Sequence, residues 1–248
     1  MNILAIIPAR MGSSRFPGKP MAKINGKPMI GHVFERVSQC ELLTKTVVAT
    51  CDDVIVDYIE SIDGQAVMTS NKHERASDRA AEALRLLEER DQIHYDIIVM
   101  VQGDEPMTNP KMISEAISPM LSDSSIGVVN LVADITSQEE FQDRNCIKVV
   151  LDKENNAMYF SREPIPTRLG GLDIPMKKQV CVIPFTREFL FQYQDMEPTP
   201  LEIVESVDMM RVLENGFKIK MVPTLFQTSA VDTEQDLVKV RSLMAQEV

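Results

Sequence analysis

The sequence contains no tryptophan, only three histidines and only four cysteines. The cysteines stand apart, without a C-x-x-C pair, so neither a zinc cage nor a disulfide framework is expected, and a reducing compartment is the natural setting. The three histidines, His32, His73 and His94, form no recognisable cluster. A catalytic triad built on imidazole is therefore not indicated.

Long apolar runs and a surplus of basic residues are also absent. The longest apolar runs, Ile3–Ile7 and Ile97–Val101, have strand length, far short of the ~18 residues that a membrane span needs, and no basic stretch leads into an apolar signal core. The formal net charge of −11 opposes a nucleic-acid partner, because phosphate backbones attract basic surfaces. We therefore expect a soluble, cytoplasmic protein that binds neither nucleic acid nor membrane.

Two common phosphate-binding motifs are missing as well. The chain has no G-x-x-x-x-G-K-[ST], and no G-x-G-x-x-G follows its first apolar run, which argues against a P-loop kinase and an NAD dehydrogenase. What the sequence does have is short Ile/Val-rich runs alternating with segments of helical period, the pattern of a mainly parallel sheet with crossover helices. Their near-continuous hydrophobicity suits strands buried on both faces.

These patterns predict an α/β fold: a doubly wound, mainly parallel, Rossmann-like sheet with a small inserted β lobe. The predicted core strands lie near residues 3–7, 46–50, 65–68, 96–101 and 127–133, with helices near 28–43, 53–62, 77–90 and 110–121. Lobe strands are predicted near 147–151, 158–161 and 180–185, and a helix over 200–215 ended by Gly216. A strand over 218–222 and a helix over 234–246 follow. We expect one catalytic unit, with a nucleotide-binding core of about 1–134 and 217–248 and an acceptor and dimerisation lobe of about 135–216.

The loop after the first strand is unusually cationic. Five Lys and Arg residues and no Asp or Glu occur in the first 27 residues: Arg10, Arg15, Lys19, Lys23 and Lys27. Ligands of doubly wound sheets bind beyond the carboxyl ends of the strands, where this loop must lie. Its cations can neutralise a triphosphate, and its glycines and the serines Ser13 and Ser14 allow close approach and supply donors. The alternative is an ordinary solvated loop.

A magnesium site is predicted at the same edge of the sheet. Asp104 follows an apolar strand, so its carboxylate should emerge beside the first loop. Mg²⁺ prefers one or two carboxylates together with phosphates and waters, and Asp232, before the last helix, is the natural second ligand. The alternatives are a turn residue for Asp104 and a helix N-cap for Asp232.

Several motifs together resemble those of the CMP-sugar-acid synthetases, and the CMP-3-deoxy-manno-octulosonate (CMP-Kdo) synthetases most closely. The resemblance runs nearly end to end, and its most specific parts are residues 7–10 (IPAR), 14–20 (SRFPGKP) and 102–106 (QGDEP). It continues through residues 25–30, 78–79, 148–150, 159–162, 164–166, 201–202 and 231–233. It implies a nucleotidyltransferase-like fold, a homodimer, and a Mg²⁺-dependent transfer of CMP from CTP to an acidic sugar of lipopolysaccharide biosynthesis, with release of pyrophosphate.

The resemblance and the loop chemistry together give a set of candidate site residues. The catalytic candidates are Arg10, Arg15, Lys19 and Asp104, and the metal ligands are Asp104 and Asp232. The nucleotide-binding candidates are Pro8, Ala9, Arg10, Ser13, Ser14, Arg15, Lys19, Arg75, Asp78, Arg79 and Gln102. The acceptor-binding candidates are Gln102, Arg162, Gln179, Glu205 and Asp208. For Asp78 and Arg79 the alternative is a helix first turn, where an acid is favoured.

Three segments depart from the family pattern. Residues 73–79 read HERASDR where the family usually has His-x-Ser-Gly-Thr-Asp-Arg, so the preference for CTP is less firmly implied. Residues 179–183 (QVCVI) and 207–211 (VDMMR) replace His-x-Gly-x-Tyr and Leu-Glu-Gln-Leu-Arg. These changes indicate either an altered acceptor, since a site matched to polar groups penalises their loss, or drift on a buried strand.

Three hypotheses follow. The first is a cytidylyltransferase acting on Kdo or a relative such as an amino-sugar acid. The second is a cytidylyltransferase for a different small acid or phosphonate. The third is a nucleotide-binding regulator without turnover, which the retained cations and aspartates oppose.

Overall fold

The computed structural model describes residues 1–13, 15–171, 174–226 and 228–246. Ser14, a predicted nucleotide contact, lies outside the described residues. The described strands are β1 Ile3–Pro8, β2 Lys23–Ile24, β3 Lys27–Pro28, β4 Lys45–Thr50, β5 Ala66–Met68, β6 Ile97–Val101, β7 Val129–Asp134, β8 Lys148–Leu151, β9 Ala157–Ser161, β10 Lys177–Val180, β11 Val182–Thr186 and β12 Lys220–Pro223. The helices are α1 Met29–Ser38, α2 Asp53–Ser61, α3 Ala76–Asp91, α4 Pro110–Ser122, α5 Gln138–Gln142, α6 Arg187–Asp195, α7 Pro200–Glu205, α8 Met209–Glu214 and α9 Glu234–Ala245.

The chain divides by its internal contacts into two units. The first unit comprises Met1–Ser114 and Gln227–Val248, and the second comprises Glu115–Phe226. The prediction placed the division near residues 134 and 217, so the observed second unit begins about twenty residues earlier and ends about ten residues later. The difference arises because β7 and β12, which we predicted in the core, pair with each other, and β7 also pairs with the lobe strand β10.

The first unit contains the parallel part of the predicted fold. Its strands run in the order β6, β1, β4, β5, and all three pairings are parallel. The apolar sequence of β1, with three isoleucines, is buried at every residue, as is the Ile- and Val-rich sequence of β6. After β5 the chain returns to the other side of β1, so the strand order reverses between β1 and β6. Ligands of such sheets bind at this reversal, outside the carboxyl ends of the strands.

The C-terminal segment packs back onto the beginning of the chain. Leu237, Val240 and Met244 of α9 form one apolar cluster with Ile24 and Met29, and the Arg241 guanidinium donates to the Lys23 carbonyl oxygen at 2.6 and 2.9 Å. The spacing of the three α9 residues, i, i+3 and i+7, places them on one face of the helix. This packing holds residues 228–233 near the first loop.

The second unit is built on a mixed sheet with the strand order β12, β7, β10, β8, β9. The pairs β7–β10, β10–β8 and β8–β9 are antiparallel, and only β7–β12 is parallel. An inserted β lobe was predicted without strand directions, and the predicted strand over 180–185 is two strands separated at Cys181. The predicted helix over 200–215 is likewise two helices, because Ser206 adopts a left-handed conformation with φ of 53°.

The β2–β3 hairpin, the short α5, the helix α6 and most of β10, before residue 180, were not predicted. Helix α5 begins with Ser137, whose side chain accepts a hydrogen bond from the Glu140 amide, and Thr186 caps α6 in the same way. Both caps are recognisable N-terminal signals. Within the described residues, none of the helices has the length and hydrophobicity to cross a membrane.

Candidate active site

Four predicted site residues from three distant parts of the chain meet at the carboxyl edge of the parallel sheet. The Lys19 Nζ atom lies 2.6 Å from Asp104 Oδ2 and 3.3 Å from Asp232 Oδ1. The Arg15 Nη2 atom lies 2.9 Å from the same Asp232 oxygen. Two cations thus share two carboxylates within the first unit, which is the convergence that the sequence predicted.

The backbone fixes this arrangement from both sides. Gly18, with φ of 74°, lets the first loop turn into a 3₁₀ helix over Lys19–Met21, and its amide donates to the Met11 carbonyl oxygen at 3.0 Å. The Val231 amide donates to the Asp104 carbonyl oxygen at 2.9 Å. The segment before α9 is therefore joined by its main chain to the loop after β6.

Helix α9 is capped by Thr233 and not by Asp232. The Thr233 hydroxyl accepts a hydrogen bond from the Asp236 amide, and the Asp236 carboxylate accepts from the Thr233 amide at 2.8 Å, which is a capping box. The alternative of an N-cap role for Asp232 is therefore wrong. Its carboxylate is instead directed at Lys19 and Arg15.

Lys19 is a persistent cation at this place. Burial alone lowers the pKa of Lys19, but attraction and hydrogen bonding from Asp104, followed by those from Asp232, raise the pKa above its ordinary value of 10.5. Lys19 therefore stays an ammonium through the neutral pH range. A fixed positive charge beside two carboxylates is suited to neutralise the phosphates of a bound nucleotide.

Gly103 lets the loop after β6 approach the loop after β1. A Cβ atom at this position would lie 2.8 Å from the Pro8 carbonyl oxygen and 3.3 Å from Ile30 Cδ1. We expect Gly103→Ala to force the two loops apart, to cost about 1–3 kcal/mol of unfolding free energy, and to lower kcat/KM by about tenfold or more, since misplacement of ~1 Å is costly in an active site. Urea denaturation and steady-state kinetics measure the two effects.

The control for this variant is Gly170→Ala, at an exposed glycine whose added Cβ would meet nothing within 4 Å. It should match the wild type in both measurements. Equal stability and equal kinetics of Gly103→Ala and Gly170→Ala would contradict the close-approach role of Gly103.

Other predicted nucleotide residues surround the same loop but differ in exposure. Pro8 and Ala9 are buried and Arg10 is exposed, with its guanidinium donating to the His73 carbonyl oxygen at 3.3 Å. The Ser13 hydroxyl accepts a hydrogen bond from the Phe16 amide at 3.3 Å and so shapes the loop from within. Gln102, half-buried, immediately precedes Gly103 and Asp104.

Arg79 is buried and binds groups of its own chain, which the sequence did not indicate. It is only 3% exposed, and its guanidinium donates to the Thr69 hydroxyl, to the Ser70 carbonyl oxygen at 3.3 Å and to Cys51 Sγ at 3.7 Å. These bonds join the end of β4 to the loop after β5 inside the protein, and the nucleotide contact of Arg79 stays a prediction. Its neighbours Arg75 and Asp78, at the start of α3, are half-buried.

Asp52 was missed by the sequence analysis. Its carboxylate accepts a hydrogen bond from the Met11 amide at 2.8 Å, which anchors the first loop to the end of β4. A signal was available, because Asp52 follows a buried strand of the same sheet, as Asp104 does. The rule that placed Asp104 at the edge of the sheet applies equally to it.

The predicted acceptor residues of the second unit are engaged with one another and with the main chain. The Glu205 carboxylate accepts hydrogen bonds from the Tyr159 and Ser161 hydroxyls and from the Arg162 amide, at 3.2, 2.9 and 2.9 Å. The Gln179 side-chain amide donates to Asn130 Oδ1 at 2.6 Å. Asp208 immediately precedes α8 and is half-buried.

The residues present fit a divalent cation of the hard, oxygen-binding kind. Asp104 and Asp232 bring carboxylate oxygens to the same ammonium, and the described residues contain no group of three or more His, Cys, Asp or Glu that could form an all-protein cage. Mg²⁺ is typically held by one or two carboxylates, with the remaining positions filled by phosphates and waters. The donor set matches that preference.

Fold and site together define a nucleotidyltransferase. A cation-rich loop follows the first strand of a doubly wound parallel sheet, and an aspartate pair stands where the strand order reverses. Residues 4–219 match the cytidylyltransferase family. The chain belongs to that family.

Individual relatives cover almost the whole chain. The 3-deoxy-manno-octulosonate cytidylyltransferase of Geobacter metallireducens is 43% identical over 97% of this chain and 96% of its own length. The 8-amino-3,8-dideoxy-manno-octulosonate cytidylyltransferase of Shewanella sediminis is 41% identical over 99% of both chains. Among solved structures, a CMP:2-keto-3-deoxy-manno-octonic acid synthetase complexed with CTP aligns over 100% of both chains, with a TM-score of 0.89 and 36% identity.

Proposed function

We propose that this chain transfers CMP from CTP to an eight-carbon 3-deoxy sugar acid, Kdo or its 8-amino relative, and releases pyrophosphate. The observation that carries the proposal is the cluster of Lys19, Arg15, Asp104 and Asp232 at the edge of the sheet. A site that pairs fixed cations with two carboxylates suits a metal-bound triphosphate. The names of the full-length relatives, and the CTP in the related solved structure, support the choice of nucleotide and acceptor.

In the proposed reaction the acceptor's anomeric hydroxyl attacks the α-phosphorus of CTP. The bond between the α-phosphorus and the bridging oxygen breaks, pyrophosphate leaves, and the proton of the attacking hydroxyl passes to water. Lys19 and Arg15 stabilise the charge that grows on the leaving group, and the main chain around Gly18 and Gly103 holds the loops that orient the phosphates. Mg²⁺, when held by Asp104 and Asp232, supplies charge neutralisation on the phosphate oxygens.

Two eight-carbon sugar acids are candidates for the acceptor. The Geobacter relative is named for Kdo and the Shewanella relative for the 8-amino sugar, at nearly equal identity. This chain lacks the family's usual imidazole and phenol on the lobe strand, where it has Gln179 and Ile183. A changed set of hydrogen-bonding groups favours a changed acceptor.

One assay tests the proposal and separates its alternatives. Pyrophosphate release is measured with each of the four NTPs, Mg²⁺ and a panel holding Kdo, the 8-amino sugar acid, other sugar acids and phosphonates. Turnover of CTP with either eight-carbon acid is expected, and the ratio of the two kcat/KM values assigns the acceptor. Turnover only with another acid would replace the acceptor, and nucleotide binding without turnover would indicate a regulator.

Lys19→Ala should impair the nucleotide half of the reaction. The substitution removes the ammonium beside Asp104 and Asp232, and with it a positive charge that stabilises the triphosphate and the leaving pyrophosphate. We expect kcat/KM for CTP to fall on the order of 10²–10³-fold, the scale of losing one prepositioned charge donor. Steady-state kinetics at varied CTP measure it.

Lys23→Ala is the matched control, because Lys23 belongs to the same cationic stretch but is exposed on β2. Its kinetics should stay within about twofold of wild type, since an exposed charge outside the site is screened by salt. An equal loss in both variants would mean that general positive charge, and not the position of Lys19, matters.

The same proposal includes a cytoplasmic homodimer. The four cysteines are free thiols, which suits a reducing compartment, and the dimer is what the family resemblance implies. Light scattering on the purified protein tests the dimer: a mass near twice the chain's 27.9 kDa is expected.

A further inference from the structure

A buried lysine of the second unit has no role in the proposed chemistry. Lys148 is 0% exposed and is the first residue of β8, between Ile147 and the apolar residues Val149–Leu151. Lysine is almost never fully buried without compensation, because removing an ammonium from water costs several kcal/mol. Specific hydrogen-bond partners must therefore compensate the buried ammonium of Lys148.

Three main-chain carbonyl groups surround the ammonium. Lys148 Nζ donates to the carbonyl oxygens of Asp143, Cys146 and Arg162, at 2.7, 2.7 and 2.6 Å. An ammonium has three N–H groups, so these bonds use its full donor capacity. Burial, followed by the nearby Glu140, raises the pKa of the Cys146 thiol to about 11, so at neutral pH that thiol is uncharged and is not an anionic partner.

The three carbonyls belong to two separate segments. Asp143 and Cys146 lie in the turn between α5 and β8, whereas Arg162 follows the end of β9. The Arg162 guanidinium returns to the same turn and donates to the Arg144 carbonyl oxygen at 2.9 Å. Two cations, Lys148 and Arg162, thus join the 143–146 turn to the end of β9.

Arg162 extends the connection to the end of α7. Its Nε atom donates to the Glu205 carbonyl oxygen at 2.7 Å and its Nη2 atom to the Ser206 carbonyl oxygen at 3.1 Å. In return, the Glu205 carboxylate accepts from the Arg162 amide at 2.9 Å. Arg162 and Glu205, both predicted to bind the acceptor, are therefore held in place by a network whose buried end is Lys148.

We propose that Lys148 is a positioning residue for the acceptor, an internal cation that fixes the main chain at Arg162 and thereby the Arg162–Glu205 pair. This inference rests on the proposed function. It assigns to Lys148 no contact with the substrate. The positive charge of Lys148 serves only to bind the three main-chain carbonyl oxygens.

Lys148→Met tests the assignment because methionine is similar in size but cannot donate. In steady-state kinetics, we expect KM for the sugar acid to rise about tenfold or more, with KM for CTP within about twofold of wild type. A purely structural role would lower the folded, active fraction, so kcat would fall with both KM values unchanged. That result, or unchanged kinetics, would overturn the proposal. Lys153→Met, at an exposed lysine just after β8, is the matched control.

Two further measurements keep the test decisive if Lys148→Met folds poorly. Arg162→Lys retains the charge, but its single nitrogen cannot reach the three carbonyl oxygens that the guanidinium binds. We expect the KM for the sugar acid to rise while the KM for CTP does not. An unchanged KM for the sugar acid would overturn the network. In Lys148→Ala, added ammonium ions should partly restore the acceptor KM, whereas tetramethylammonium, which cannot donate, should not. Wild-type turnover is measured first, so that failure of the proposed function is seen as an inactive wild-type enzyme.

Discussion

Asp104→Asn is expected to remove almost all turnover while leaving the fold intact. The substitution keeps the size of the side chain but removes its negative charge, and thus one of the two proposed carboxylate ligands of Mg²⁺. Loss of several kcal/mol of transition-state stabilisation corresponds to on the order of 10³-fold or more in kcat, at about 1.4 kcal/mol per tenfold change. Lys19 keeps Asp232 as a partner, so thermal unfolding should change little. Single-turnover rates with CTP and saturating sugar acid measure the effect.

The dependence of the reaction rate on Mg²⁺ concentration shows whether the loss of turnover in Asp104→Asn is a loss of metal binding. If Asp104 is a ligand, the residual activity of Asp104→Asn should require more Mg²⁺ than the wild type does. Asp57→Asn, at an exposed aspartate on α2, controls for general loss of negative charge and should retain wild-type rates. Wild-type rates in Asp104→Asn would remove the metal hypothesis.

The meeting of Lys19 and Asp104 was predictable from the sequence, although 85 positions separate them. Each follows a continuously apolar run of strand length, and parallel strands in a doubly wound sheet present their carboxyl ends at one edge. In the structure these two strands, β1 and β6, are direct neighbours, with Ile3 paired to Ile97. Local sequence patterns were enough for this prediction, because the direction of the two strands alone brings the loops that follow them to the same edge of the sheet.

The place of Asp232 was predicted with the help of the family resemblance. What brings it to the site is the packing of α9 against the first hairpin, through Leu237, Val240 and Ile24. An apolar face indicates that a helix is buried, but it does not indicate which surface the helix packs against. The cap itself was readable, since Thr233 and Asp236 form a recognisable capping box.

Burial of charged side chains was the least predictable feature. Arg79, in the first turn of α3, and Arg162, after β9, carry no sequence signal that their guanidinium groups bind their own chain. The structure shows both guanidinium groups donating to their own chain. A side chain's partners depend on how separate elements pack, and this is set by tertiary contacts that no short sequence window contains.

Breaks within secondary structure were similarly hidden. The periodic pattern over 200–215 was consistent with one helix, yet the chain leaves the helix at Ser206 and restarts at Met209. Ser is a residue that seldom adopts a left-handed conformation. The break is compensated by tertiary bonds, since the Ser206 carbonyl oxygen accepts from Arg162.

The largest loss of stability is expected for Arg211→Met. Arg211 on α8 is 3% exposed and the Glu202 carboxylate on α7 is fully buried; the guanidinium donates to both carboxylate oxygens at 2.7 Å. Removing one partner of a buried pair leaves the other charge uncompensated and costs about 3–5 kcal/mol. For a chain of this size that lowers the melting temperature by roughly 6–20 °C. Urea and thermal denaturation measure both quantities.

Two further variants distinguish the effect of the unpaired Glu202 carboxylate from the effect of the other contacts that Arg211→Met removes. Arg211 also lies 4.5 Å above the Tyr193 ring, as the exposed Arg168 lies 4.9 Å above Phe141. Arg168→Met should therefore cost at most about 1 kcal/mol, the value of an exposed cation–π contact. The double variant Glu202→Gln/Arg211→Met keeps a side chain able to cap α7 but carries no buried charge, so it should be more stable than Arg211→Met alone. Additive losses in the double variant would mean that packing, and not the uncompensated Glu202 carboxylate, makes Arg211 necessary.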